Sequence, residues 1–215
     1  LQSATNGIGR GNFMVIIARP ETGKTAFWVS LVASVGGFAW QQKKVSIFAN
    51  EEPAIRTQMR LLNACTGLQR GSILNGSRDL TKKVWGDINP YVENFDCVGK
   101  TMDDLNEYCT NNEVDILIID QLDKINVTGK FNATHEKLRE VYTQARELAK
   151  RHNILVIGMS QASAEAQGRS RVTFSTMENS KTGKAAEADL ILGLGKEDEE
   201  EDFMDDCIRF VTLSK

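Results

Sequence analysis

The stretch FMVIIARPETGKTAF, residues 13–27, decides how the rest of the chain is read. Six mostly apolar residues, Phe13 to Ala18, run into a polar loop and then into a second apolar run. A buried strand, a loop and a helix follow from that pattern. The loop fits the spacing G-x-x-x-x-G-K-[ST], with Ala18 at the first position. That spacing suits a polyphosphate. Backbone N–H groups of Ala18, Arg19, Pro20, Glu21, Thr22, Gly23, Lys24, Thr25 and Ala26 form the expected cradle, Pro20 itself lacking the donor. Gly23 permits close approach, Lys24 reaches the β- and γ-phosphates, and Thr25 offers a hydroxyl to Mg²⁺. The helix after the loop adds the positive end of its dipole.

Composition sets the frame. The chain has 215 residues, 41% of them hydrophobic and only 3 prolines, enough for a sizeable α/β core. Cys65, Cys97, Cys109 and Cys207 form no C-x-x-C pair, which points to reduced thiols rather than a zinc site or a disulfide framework. No apolar run approaches the roughly 18 residues of a membrane span, and no signal peptide is visible. A cytoplasmic setting is expected, with the mitochondrial matrix as the alternative. Leu1 is not an initiator residue, so the chain is expected to be a piece of a longer protein. The formal net charge of −3 is uneven. Residues 197–206, EDEEEDFMDD, hold 8 acids and no base, and the rest is mildly basic. The acidic run reads as a solvated loop between two strands, and the basic remainder permits a phosphate-backbone partner.

Strand-like runs occur at 13–18, 45–50, 95–98, 114–120, 154–160, 189–194 and 207–213. Between them the clearest helix covers 134–152, where Leu138, Val141, Tyr142, Ala145, Leu148 and Ala149 share one face. The stretch from Gly67 to Gly86 is less regular, with turns marked by Gly71, Asn75 and Gly76. Buried strands alternating with helices imply an α/β fold with a mostly parallel, twisted sheet flanked by helices, in one domain over residues 1–215.

Ligands of such sheets sit beyond the carboxyl ends of the strands. Those ends carry Glu51, Asp120 and Gln161. Asp120 follows an apolar strand and suits the magnesium side of a phosphate-loop site, or else caps a turn. Glu51 can polarise the attacking water if its strand lies beside the phosphate-loop strand. Alternatively, Asn50 caps a helix and Glu51 and Glu52 sit at its positive end. Glu52 is one position out of phase for catalysis. Gln161 can hydrogen-bond the γ-phosphate, or simply start a loop.

Taken together, ARPETGKTAF, NEEP, DILIIDQLDKI, ILVIGMSQ and MENSKTGKAAEADLILGL resemble the helicase domain of DnaB-like replicative helicases, including phage and mitochondrial primase–helicases. The resemblance spans nearly the whole chain. The last motif departs from the family's Arg-Glu-Ser-Gly, reading Glu178-Asn179-Ser180-Lys181-Thr182-Gly183 here. The resemblance implies a RecA-like phosphate-loop NTPase core that uses ATP, or another NTP or dNTP, with Mg²⁺. It implies a homo-oligomeric ring, usually hexameric, around single-stranded DNA, and a primase domain or partner. It assigns catalysis to Lys24, Glu51 and Gln161 and magnesium to Thr25 and Asp120. Pore loops are expected at 124–130 and 162–184, with Arg169, Arg171, Ser180, Lys181, Gly183 and Lys184 on DNA and Phe174 as the one aromatic. The family's transferring-phosphate arginine comes from a neighbouring subunit, in a Lys-x-Arg element whose lysine matches Lys215. Arg209 reads as a surface residue within the last strand. A recombinase that forms filaments, a small-molecule kinase and an ATP-binding assembly protein are the competing readings. The Arg-poor stretch 87–112 offers no kinase lid.

Overall fold

The computed structural model describes residues 7–75, 78–177, 181–197 and 208–215. FMVIIA forms strand β1, Phe13–Ala18, buried along its entire length. Alternate side chains enter two cores. Phe13, Val15 and Ile17 join one, and Met14, Ile16 and Ala18 the other. A strand apolar on both faces needs a covering layer on each. Helices α1 (Lys24–Ala33) and α2 (Ala54–Thr66) supply one. Helices α5 (Met102–Asn111) and α6 (Thr134–His152) supply the other. The shorter α3 (Arg70–Asn75) and α4 (Arg78–Ile88) follow α2.

The remaining strands are β2 (Val45–Ala49), β3 (Val92–Asp96), β4 (Ile116–Ile119), β5 (Leu155–Gln161), β6 (Leu190–Gly195) and β7 (Phe210–Leu213). They form a seven-stranded sheet in the order β3-β2-β4-β5-β1-β6-β7, parallel except for β7. The tips of β1, β5, β4 and β2 therefore lie along one edge. The helix expected over 134–152 is found with those bounds. Its last turn carries Lys150, Arg151 and His152 at the negative end of the dipole, and Asn153 stops it in the left-handed conformation.

Three expectations need correction. The strand placed at 95–98 instead spans Val92–Asp96. It is an edge strand, whose Glu93 is exposed on one face and whose Asn94 is half-buried on the other, while the apolar Val98 is 81% exposed in the turn beyond it. Asn50 does not cap a helix. Helix α2 begins at Ala54, whose N–H donates to Asp96 Oδ1 at 2.7 Å. The segment 162–184 is not a loop throughout, since α7 (Lys181–Glu187) starts within it. Most of the acidic run, with Cys207, lies outside the described residues.

Glycine decides how the segment after β5 is seated. Gly193 and Gly195 lie two apart on β6 and face the backbone of residues 169–172. A Cβ on Gly193 would fall 1.9 Å from the Val172 carbonyl oxygen, and one on Gly195 would fall 2.0 Å from that of Ser170. Only the missing side chains let this segment rest on the strand. Gly195→Ala is expected to lift it and to cost about 1–3 kcal/mol in urea titration, the range for overpacking. Gly86→Ala, on α4 with nothing within 4 Å of the added carbon, should instead gain up to about 1 kcal/mol. Equal effects would contradict the packing seen at Gly195.

Candidate functional site

At the strand-tip edge a cleft of about 280 Å³ is lined by Arg19, Pro20, Glu21, Gly23, Lys24, Thr25, Ala26, Glu51, Glu52 and Arg60. The loop between β1 and α1 turns sharply there. Glu21 has φ 63° and Gly23 φ 97°, the latter at the N-cap of α1 with no side-chain cap. First-turn N–H groups without a side-chain acceptor are what an anion needs at a helix start.

Lys24 is 6% exposed, and its Nζ lies 3.5 Å from Glu51 Oε2. Glu51 reaches it although β2 does not neighbour β1: β5 and β4 stand between them. The condition set on the sequence therefore fails, but the proximity it was meant to secure is present. Glu52 differs from Glu51 in its partner. Arg60 donates Nε to its Oε2 at 2.9 Å and Nη2 to its Oε1 at 2.6 Å. The hydrogen bond and charge of that guanidinium hold the Glu52 carboxyl below its usual range.

Asp120, 1% exposed, follows β4. Burial pushes its carboxyl up to about 6; the Lys24 ammonium opposes the shift, and the Glu51 and Glu52 charges add to it. Its Oδ1 is buried without a hydrogen-bond partner. A buried carboxylate oxygen with spare capacity, on the same edge as the Thr25 hydroxyl, fits Mg²⁺, which takes one or two protein oxygens and keeps water. Among the described residues no group of three or more His, Cys, Asp or Glu could enclose a metal.

A family profile described as the DnaB-like helicase C terminal domain matches residues 1–208. The chain belongs to this family. It is 31% identical over 207 residues to a probable plasmid replicative DNA helicase of Chlamydia psittaci, covering 89% of this chain and 44% of that protein. It is 25% identical over 182 residues to the replicative DNA helicase DnaB of Geobacillus stearothermophilus, covering 79% and 39%. The chain thus spans less than half the length of these curated relatives. Its fold matches a structure described as a DnaB-like replicative helicase and its interactions with primase, with a TM-score of 0.79 at 22% identity over 98% of this chain and 54% of that one. It also matches a second solved structure, described as an ATPase domain, with a TM-score of 0.78 at 22% identity over 98% and 79%. The sheet is that of a RecA-like fold.

Against this DnaB-like frame the remaining expected residues separate. Gln161 ends β5 directly beside Ala18 of β1, and its N–H lies 3.5 Å from Asp123 Oδ2. Arg19 donates Nη1 to the Ala162 carbonyl at 3.2 Å and Nε to Gln167 Oε1 at 3.5 Å, tying the phosphate loop to the segment after β5. Arg169 and Arg171 are exposed on that segment, as is Phe174. Gly183 is half-buried in α7. Ser180 and the side chain of Lys181 lie outside the described residues.

Lys184 does not meet its expectation as a surface DNA contact. It is 0% exposed, with Nζ 2.8 Å from Asp123 Oδ1 and 5.4 Å from the centre of the Tyr142 ring. Tyr142 donates to Asp123 Oδ1 at 2.9 Å, and Ser160 donates to its Oδ2 at 2.8 Å. The Gly- and Ser-rich surroundings of Lys184 suggested solvent, but an acid 61 positions earlier in the chain captures it. The expected pore loop at 124–130 is also partly pinned. Asn126 bridges Thr101, Ile125 is buried, and only part of the segment is exposed.

Arg209 was missed as a site residue. It precedes β7 rather than lying within it, and its Nε donates to the Thr22 carbonyl of the phosphate loop at 2.7 Å. No local motif announces this. The signal is topological: an antiparallel strand beside β6 starts at the edge where β1 ends.

Asp120 also sets a stability prediction. With its carboxyl raised to about 6 in the fold and near 3.9 unfolded, its contribution is complete below the unfolded value and is lost as pH rises through the folded one. Asp120→Asn should therefore stabilise the chain at pH 8 by up to about 3 kcal/mol, with little gain at pH 4. Urea titrations at the two pH values check this, and a gain independent of pH would exclude the buried charge as its cause.

Proposed function

We propose that this chain is the motor domain of a replicative DNA helicase. It binds ATP, or another NTP or dNTP, with Mg²⁺ and hydrolyses it to translocate on single-stranded DNA and unwind duplex. The observation that carries the reading is the buried Lys24 ammonium at a helix start, met by Glu51 in the cleft and close enough to Asp120 for the two charges to interact. Residues 1–215 act as one domain. In the whole protein it works in the cytoplasm as a homo-oligomeric ring, a hexamer, with a primase domain or partner.

Lys24 and the N–H groups of 23–26 bind the polyphosphate, and Lys24 offsets charge that develops on the transferring group. Thr25 and Asp120 would hold Mg²⁺, which when bound neutralises charge on the β- and γ-phosphate oxygens. Glu51 orients the attacking water with the carboxylate oxygen that Lys24 does not meet and takes its proton. Glu52 is unsuited to that role because Arg60 occupies both of its oxygens. Gln161, level with Ala18, reports the γ-phosphate to the segment 162–177. Arg169 and Arg171 on that segment hold the DNA backbone.

Lys24→Ala should abolish hydrolysis and weaken Mg-ATP binding. Glu51→Gln should keep binding and slow turnover by about 100-fold or more, the scale of a lost general base, while Glu52→Gln has the smaller effect. Phosphate release by the assembled protein measures all three, and a larger effect at Glu52 would overturn the assignment of the base.

Replacing Arg169 and Arg171 by Ala should weaken single-stranded DNA binding uniformly over sequence. The salt dependence should flatten by up to about 0.7 in slope per lost phosphate contact. A sequence-selective loss would speak against backbone tracking.

A further inference from the structure

Thr22 and Gly23 share the peptide that closes the phosphate loop. None of the described peptide bonds is cis, so its C=O and N–H point in opposite directions. The carbonyl side is taken by Arg209, whose Nε lies 2.7 Å from Thr22 O. The same atom would lie 3.6 Å from a Cβ built on Gly23. Arg209 is itself steadied, since its Nη1 donates to the Ile208 carbonyl at 2.7 Å. The half-buried guanidinium stands outside the lining of the cleft that holds Gly23, Lys24 and Thr25.

We infer that Arg209 is a positioning residue for the nucleotide, fixing the Thr22–Gly23 peptide so that the Gly23 N–H faces the phosphates. The inference rests on the nucleotide-binding reading of the cleft. The need for such a clamp follows from Gly23. At φ 97° it occupies a conformation that glycine alone adopts freely, and glycine has many others open to it. A loop of this kind binds only in the fraction of time its donors converge, so a fixed peptide raises apparent affinity without touching the ligand. A planar guanidinium held at both Thr22 and Ile208 supplies that fixation. Because β7 is bonded to β6 and β6 to β1, the arginine and the loop it holds belong to one continuous sheet.

The test uses this chain with Mg²⁺ and a fluorescent ATP analogue. Arg209→Met keeps the length and loses the donor; Arg209→Lys restores a donor on a flexible stem. The expected result is about tenfold weaker binding for Arg209→Met, the equivalent of one hydrogen bond to a charged group, with most of it recovered in Arg209→Lys. The amide of Gly23 should exchange with solvent faster in Arg209→Met than in the unaltered chain, before any nucleotide is added. Binding within twofold of the unaltered chain in Arg209→Met, while Lys24→Ala binds poorly, would overturn the role of Arg209 and leave the cleft's reading intact. A loss in Arg209→Met that Arg209→Lys does not recover would also overturn it. No binding by the unaltered chain would overturn both.

Discussion

A lysine ammonium withdrawn from water must be met by negative charge or by a ligand that supplies it. Lys24 is such a group, and the architecture around it follows from that need. Glu51 and Asp120 come from two other strands, and both can approach because a parallel sheet delivers its strand tips to one edge. The two acids differ in cost. Glu51 is partly open to solvent, while Asp120 is buried to the point that its carboxyl is displaced to about 6. The site thus holds charge that the fold alone does not favour, the arrangement expected where a ligand completes the electrostatics.

A second buried ammonium obeys the same rule for a different end. Lys184 is neutralised by Asp123, and Asp123 also accepts from Tyr142 and Ser160. Four elements meet at that carboxylate: the turn after β4, α6, the end of β5 and α7. Removing either charge would strand the other in a low-dielectric setting. The three described cysteines follow the opposite course. They are free and buried, and burial pushes each thiol up to about 11, so they pack as neutral groups.

What was legible in the sequence was local. The phosphate loop carries its own spacing, and α6 carries a complete apolar stripe. The run of apolar residues in β1 and β5 could be nothing but buried strand or buried helix, and their length favours strand. The bounds of β3 were not legible, because an edge strand loses the alternation that a buried face imposes. The roles of Lys184 and Arg209 were hidden for another reason. Each is decided by a partner far away in sequence, Asp123 and Thr22, brought near by strand order rather than by spacing. Glu51 shows both effects: its place at a strand tip was readable, but the two strands between it and the phosphate loop were not.

The antiparallel strand of the sheet is anchored at both ends. Arg209 before β7 holds Thr22, while beyond it Ser214 Oγ accepts from the Phe174 N–H at 2.8 Å and Lys215 Nζ donates to the Ala185 carbonyl at 2.9 Å. Four ladder pairs with β6 hold it between these contacts. One short strand at the sheet margin therefore ties three separate segments, the phosphate loop, the segment after β5 and α7, to a single ladder.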